Sequence, residues 1–171
     1  QHENYAGKVA VIDPANGTVL QRIAVGMDPS DIKLHPAGGL AYVVNRESHH
    51  SHGSLSVIDT RSKTVVATVP VGKHPGRVAF HPSGTQAYVT NSGDGTVSVI
   101  DTASHAVVGL IPVDQAPQHV VFHPAGTHAY VSSPEANTLS VIDTATQQLR
   151  GSVTVGSAPW GVALVGDPRV A

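Results

Sequence analysis

The chain contains no cysteine among its 171 residues, which excludes disulfide bonds, thiolate metal ligands and cysteine nucleophiles together. Charge is also sparse. Charged residues make up 13% of the chain, with 10 Lys and Arg against 12 Asp and Glu and no run of one sign. This argues against a nucleic-acid partner, because such a surface requires clustered basic residues. No apolar run approaches the ~18 residues of a membrane-spanning helix, so no membrane span is expected.

Short catalytic motifs are also missing. The sequence has no Gly-x-Ser-x-Gly elbow, no phosphate-binding loop, no His-Glu-x-x-His and no Gly-x-Gly-x-x-Gly. A triad assembled from different parts of the chain would leave no such signature. The absence therefore favours a non-catalytic protein, and we predict no catalytic residues.

What the sequence does contain is a block of about forty residues that recurs along the chain. The phrase Val-Ile-Asp starts, at intervals of 46, 42 and 42 residues, at Val11, Val57, Val99 and Val141. A His-Pro pair keeps step with it at His35, His81 and His123. A residue common to every copy is best explained by a shared turn, so these histidines are predicted to be structural. Such a period indicates a unit that buries its faces by stacking on copies of itself.

The copy between Lys73 and Val113 shows the pattern within one repeat. Apolar and β-branched runs alternate with turn residues, which predicts strands over residues 76–81, 86–91, 96–101 and 106–113. Four short antiparallel strands per repeat are typical of a β-propeller blade. We therefore predict an all-β propeller of four-stranded blades, with about four repeats in one domain over residues 1–171. The repeats are placed roughly at 1–28 (partial), 29–72, 73–114, 115–156 and 157–171 (partial).

The run Ala-Tyr-Val-Thr-Asn-Ser at 87–92, followed by Thr-Val-Ser-Val-Ile-Asp-Thr at 96–102, resembles the YVTN family of β-propeller repeats. Three in-register copies carry the resemblance over nearly the whole chain. It implies an exported protein, located in the periplasm, secreted or at the cell surface, since family members include surface-layer proteins. Similar blades occur in nitrous oxide reductase and in the haem-carrying domain of nitrite reductases.

The predicted strands do not close a ring. The chain opens on a third strand at residues 8–13 and ends on a first strand at 161–165, which gives fifteen strands where four blades need sixteen. Unpaired strand edges attract other strands. We expect residues 1–6, a second copy, a protein partner or further native sequence to fill the gap. The resemblance implies a larger ring, typically seven-bladed, and a ring assembled from two chains is the alternative.

Residues that differ between copies while their neighbours agree are candidates for ligand contact. In the loop that enters each first strand, such residues follow a proline at the mouth of the expected channel. The candidate ligand-binding residues are Asp31, Arg77, His119 and Trp160. The competing interpretation is that water solvates ordinary channel-mouth residues.

A second irregularity is a polar insertion rich in histidine between residues 46 and 54. Imidazole nitrogens bind copper, zinc or nickel, so the insertion offers a site for copper or another divalent transition metal. The candidate metal ligands are His49, His50, His52 and His74, with Glu47 and Asp31 in conceivable reach. The alternative is a solvated loop whose histidines are incidental.

Two functional hypotheses follow. The first is a non-catalytic exported binding or scaffold propeller that presents one loop face to a ligand or protein partner. The alternative is a redox propeller that carries a metal, copper above all, or haem, or a fragment of such a protein. The first depends on the missing catalytic motifs, and the second depends on the histidine insertion and the resemblance to copper and haem propellers.

Overall fold

The computed structural model describes residues 7–47 and 52–164, and every regular element in these ranges is a β-strand. The strands are β1 (Lys8–Ile12), β2 (Val19–Ala24), β3 (Pro29–Leu34), β4 (Leu40–Asn45), β5 (His52–Asp59), β6 (Thr64–Lys73), β7 (Pro75–Phe80), β8 (Gln86–Asn91), β9 (Thr96–Asp101), β10 (Ala106–Pro112), β11 (His119–Phe122), β12 (His128–Ser133), β13 (Thr138–Asp143) and β14 (Gln148–Thr154). The described residues include no helix that could cross a membrane.

Consecutive strands pair in antiparallel fashion into four separate sheets. β1 and β2 form a two-stranded sheet, and each complete repeat forms a four-stranded meander, β3–β6, β7–β10 and β11–β14. The first strands of the meanders, β3, β7 and β11, contact one another, so the meanders radiate from these inner strands. This arrangement confirms the predicted all-β fold of four-stranded antiparallel blades.

The core lies between consecutive sheets rather than within any one of them. Three apolar clusters join the first sheet to the second, the second to the third and the third to the fourth. Two tyrosines, from the second strands β4 and β8, pack edge-on against a phenylalanine of the next sheet: Tyr42 on Phe80 at 5.0 Å and Tyr88 on Phe122 at 4.7 Å between ring centroids. Such pairs add stability beyond the area that they bury. Each meander is therefore a stacking unit, as the repeat predicts.

Two of the three His-Pro histidines, His35 and His81, join their own sheet to the next one, in a contact that we call the histidine link. Nε2 of His35 bonds the carbonyl of Gly84 at 2.8 Å, and Nε2 of His81 bonds that of Gly126 at 3.0 Å. The Nδ1 atom of His35 accepts the amide of Ala37 at 3.2 Å, so the ring proton lies on Nε2, which donates. The structural role predicted for these histidines is confirmed for His35 and His81, and His123 keeps the turn bond, since its Nδ1 atom accepts the amide of Ala125 at 3.1 Å.

The two ends of the described chain expose faces that a neighbouring sheet covers elsewhere. Ile32 and Leu34 are exposed at one end and Val153 at the other. The predicted fifteenth strand is wrong over residues 161–164, which are not in a strand, and Val165 lies outside the described residues.

Candidate ligand-binding site

The loops that enter the first strands share an unusual backbone. The residue before the proline has a positive φ in all four copies: 47° at Asp28, 47° at His74, 52° at Ala116 and 50° at Ala158. Positive φ is uncommon for residues other than glycine, and a residue before proline is normally extended. Because every copy adopts the same bend, the fold imposes it. The bend sets the residue before the proline on the loop face and directs the residues after it into the inner strand.

Three of the four predicted ligand-binding residues meet at the inner strands. The carboxylate of Asp31, whose side chain is 7% exposed, accepts the amide of Val78 at 3.1 Å and the guanidinium of Arg77 at 3.4 Å. Asp31 therefore ties β3 to β7, while Arg77 remains half exposed. Much of the Asp31 side chain is thus committed to holding two sheets together.

His119 completes this inner-strand cluster. Its Nδ1 atom accepts the amide of Val162 at 3.1 Å, which leaves the proton of the neutral ring on Nε2. Burial lowers the pKa of His119 below its ordinary value of 6.5, and the positive charges of Arg77 and Lys33 lower it further, against the opposing effect of Asp31. His119 is consequently a neutral hydrogen-bond donor near pH 7.

The fourth predicted residue, Trp160, lines a separate cavity on the loop face, which we call the loop-face cavity. The cavity has a volume of about 310 Å³. Its lining residues are Asp28, Arg46, Glu47, His74, Ser92, Gln118 and Trp160. Loops of three consecutive meanders contribute to it, so the cavity exists only when the sheets stack.

The sequence singles out four of the seven lining residues: Arg46 and Glu47 belong to the polar insertion, and His74 and Trp160 are candidate ligands. The comparison of copies looked at positions after the proline, whereas Asp28 and His74 stand immediately before it. That position reads Asp, His, Ala and Ala in the four copies, so its variation was an available signal. Nothing in the repeat pattern marked Ser92, which lies in one of the short turns between second and third strands.

Backbone contacts hold the cavity wall. The amide of Arg46 donates to the carbonyl of Asp28 at 3.1 Å, and the hydroxyl of Ser54 donates to Glu47 Oε1 at 2.9 Å. Gly26 permits this approach, since a methyl group on its α-carbon would lie 2.5 Å from Glu47 Oε1. The wall is therefore fixed by the loops, independently of any ligand.

The predicted metal ligands divide into two groups. His49 and His50 lie outside the described residues. His52 begins β5 and is paired with Lys73, the residue before His74, so these two histidines lie near the same end of the meander β3–β6. Within residues 7–47 and 52–164, no three His, Asp or Glu side chains are grouped to hold a metal ion. The metal site thus stays a prediction.

Four-stranded meanders that radiate from their inner strands define the chain as a β-propeller protein. More particularly, residues 1–111 match the model of the Choice-of-anchor I domain, and the chain belongs to this family. The family description refers to an anchor, which indicates an exported or surface-associated protein and specifies no compartment. The comparisons do not confirm the YVTN assignment.

Among solved structures, hydrazine synthase of Kuenenia stuttgartiensis is similar to this chain, with 28% sequence identity and a TM-score of 0.72. The match covers 80% of this chain and 39% of that one. The chain thus spans about two fifths of the protein that it matches. No curated protein matches the sequence.

Proposed function

We propose that the chain is a non-catalytic binding module of an exported protein, periplasmic, secreted or at the cell surface, and that its loop face contacts a ligand or protein partner. The loop-face cavity carries the proposal. It combines an exposed tryptophan with polar side chains that the fold does not use. Cavities with a few convergent polar groups are typical of ligand sites.

Polar residues that recur in every copy form hydrogen bonds within the fold, whereas several that are particular to one copy do not. Asp101, which recurs in each copy, accepts both the amide and the hydroxyl of Ser104 at 2.7 Å, and these bonds lower its pKa. By contrast, the side chains of Asp28, Arg46 and Gln118 make no hydrogen bond or ion pair within the described part of the chain. Polar groups kept free at a cavity are available to a ligand, whereas the repeated ones stabilise turns.

The test is a thermal-shift screen of soluble ligands and candidate partner proteins, followed by titration. Ligands that stabilise the wild type should not stabilise an Arg46→Ala/Gln118→Ala variant. Arg61→Ala is the matched control, because Arg61 is an exposed arginine in a turn outside the cavity. The proposal is refuted if no ligand or partner distinguishes the cavity variant from the wild type. Substrate turnover that one cavity substitution abolishes would refute its non-catalytic part.

The second candidate function is the metal- or haem-bearing redox propeller. The placement of His52 opposite Lys73, beside His74, favours it, because two imidazoles at one end of a hairpin are a partial ligand set. Protein purified without an affinity tag should then contain about one copper or other transition metal per chain by elemental analysis. The metal should be lost in a His52→Ala/His74→Ala variant and kept in His123→Ala. Native protein free of copper, zinc and iron would leave only the binding proposal.

A further inference from the structure

Trp160 is the only tryptophan of the chain and stands 68% exposed at the loop-face cavity. Aromatic side chains gain most when they bury their large apolar surface, so an exposed indole contributes little to folding. In a ligand site the same indole is useful, because it offers an apolar surface beside polar groups. Tryptophan therefore suits a ligand that has both an apolar face and polar edges.

Charges of both signs line the cavity. Asp28 and Glu47 contribute carboxylates, and Arg46 contributes a guanidinium. Arg46 repels a cationic ligand and so opposes the attraction that the two carboxylates exert on it, and the carboxylates repel an anionic ligand. An uncharged, strongly polar ligand meets neither repulsion.

The free side chains complement hydroxyl groups. Arg46 donates, the Asp28 carboxylate accepts, and the Gln118 amide does both. The Ser92 hydroxyl donates to the carbonyl of His74 at 2.9 Å and keeps lone pairs that can accept. A sugar hydroxyl both donates and accepts, so it can pair with each of these groups without breaking a bond of the fold.

The volume of the cavity agrees with a small polyhydroxylated ligand. A volume of about 310 Å³ is at the lower end of the range for small-molecule sites, about 300–1,000 Å³. We infer that the loop-face cavity binds a neutral saccharide, with the indole of Trp160 against the C–H face of a sugar ring and Asp28, Arg46 and Gln118 on its hydroxyls. This inference rests on the proposed binding function.

The lone tryptophan makes a direct experiment possible, since all indole fluorescence reports on the cavity. The probes are maltohexaose, cellohexaose and N-acetylchitohexaose, with tetramethylammonium and polygalacturonate as charged comparisons. We expect a saturable fluorescence change with at least one neutral probe. Its midpoint should be unchanged between about 0.05 and 0.5 M NaCl, because no net charge is exchanged.

Calorimetry on variants then locates the site. Trp160→Ala should lower the affinity for the neutral probe about tenfold or more. Trp160→Phe should lower this affinity less, and Gln118→Ala should also lower it. Arg61→Ala should bind like the wild type. Circular dichroism confirms folding of each variant.

Failure of the inference differs from failure of the proposed function. A response to tetramethylammonium or polygalacturonate alone overturns the inference of a neutral saccharide and leaves the binding site standing. Silence toward all five probes also overturns the saccharide, and the thermal-shift screen then decides the binding function separately. Full affinity in Trp160→Ala overturns the assignment to this cavity.

Discussion

Two tyrosines that occupy the same place in consecutive repeats differ in one hydrogen bond. The Tyr42 hydroxyl bonds Nδ1 of His105 at 2.9 Å, whereas the buried Tyr88 hydroxyl has no partner in the described structure. Burial raises the pKa of each to about 12, and the nearby carboxylates of Asp101 and Asp143 add to the effect. The tyrosine thus recurs in both copies, although only the hydroxyl of Tyr42 has a hydrogen-bond partner in the described structure.

Removal of the two hydroxyls should therefore have unequal effects. Tyr42→Phe should lower the free energy of unfolding by about 1 kcal/mol, since it loses a hydrogen bond. Tyr88→Phe should leave stability unchanged or raise it, because it removes an unpaired buried group. Urea denaturation at pH 7 measures both. Equal losses in the two variants would contradict the difference in bonding.

Alkaline pH should destabilise the fold through the same residues. A tyrosine ionises near pH 10 in the unfolded chain but near 12 in the folded one. Their contribution is complete below about pH 10 and is lost as the pH rises toward 12, because the unfolded chain releases its protons first. Melting temperatures measured across this range should fall less steeply in Tyr42→Phe/Tyr88→Phe than in the wild type. An identical slope in both proteins would be inconsistent with buried, neutral tyrosines.

His119 should respond at the opposite end of the pH scale. Its lowered pKa means that the unfolded chain takes up the proton first, so stability from the neutral ring is complete above about pH 6.5 and is lost as the pH falls through the folded-state pKa. An NMR titration should find that pKa below 6.5. Arg77→Gln should raise it, and Arg61→Gln should not. A pKa unaffected by Arg77→Gln would mean that the guanidinium lies elsewhere.

At the scale of strands and loops, two neighbouring positions, one at the end of a second strand and one in a loop, change together between consecutive copies. The Asn91 amide group donates to Thr96 and Ser98, its oxygen accepts the amide of Gly72, and a methyl group on Gly72 would lie 2.6 Å from Asn91. The next copy has Ser133 in place of that asparagine and Asp114 in place of that glycine.

Asp114 supplies from the loop what the asparagine supplies from the strand. Its carboxylate accepts the hydroxyls of Thr138 at 2.6 Å and Ser140 at 3.1 Å. Hydrogen bonds from Ser152 and from these two hydroxyls lower the pKa of Asp114. The small Ser133 side chain leaves room for it.

Substitutions at Ser133 and Asp114 should therefore have strongly non-additive effects on the free energy of unfolding. Ser133→Asn should cost about 2 kcal/mol through a clash with Asp114, and Asp114→Gly should cost about 1–3 kcal/mol through unpaired hydroxyls. The double variant recreates the arrangement of the preceding copy and should approach wild-type stability. A double-mutant cycle by urea denaturation measures the coupling. Additive losses would show that the two positions are independent.

The strands were largely predictable from the sequence, and the cavity was not. β8 and β9 have the predicted bounds because turn residues flank apolar runs on both sides. The cavity is built by loops of three different meanders, so no local pattern contains it. Trp160 was found through its variability, but its separation from Asp31 and His119 depends on how the sheets stack.

For the molecule as a whole, the open end beside β1 is the largest unsatisfied feature. Within the described residues, β1 pairs with β2 alone, whereas the corresponding third strands β5, β9 and β13 pair on both sides. A groove of about 240 Å³ lies next to it, lined mainly by apolar residues that include Val11, Ile32 and Leu34. We propose that a strand of a protein partner or of a second copy occupies this edge, since exposed strand edges and apolar faces recruit strands.

Light scattering coupled to size exclusion tests this assembly. The wild type should have a molar mass larger than that of one chain, and the fraction of associated chains should rise with protein concentration. Leu34→Glu should shift it toward the monomer by placing a charge in the groove. Val108→Glu is the control, because Val108 is an exposed valine on an outer strand far from the groove. A stable wild-type monomer would rule out self-association and leave residues 1–6 or a different protein as the occupant.

The histidine link has a consequence for the evolution of such a repeat protein. The middle repeat contributes a donor ring, that of His81, toward one neighbour and an acceptor carbonyl, that of Gly84, toward the other, and His35 and His81 use the same two ring atoms. A gene segment that encodes one repeat therefore carries both halves of a joint. Its duplication or loss by recombination inserts or removes a whole sheet without a new contact having to arise. We expect members of this lineage to differ in size by multiples of one repeat.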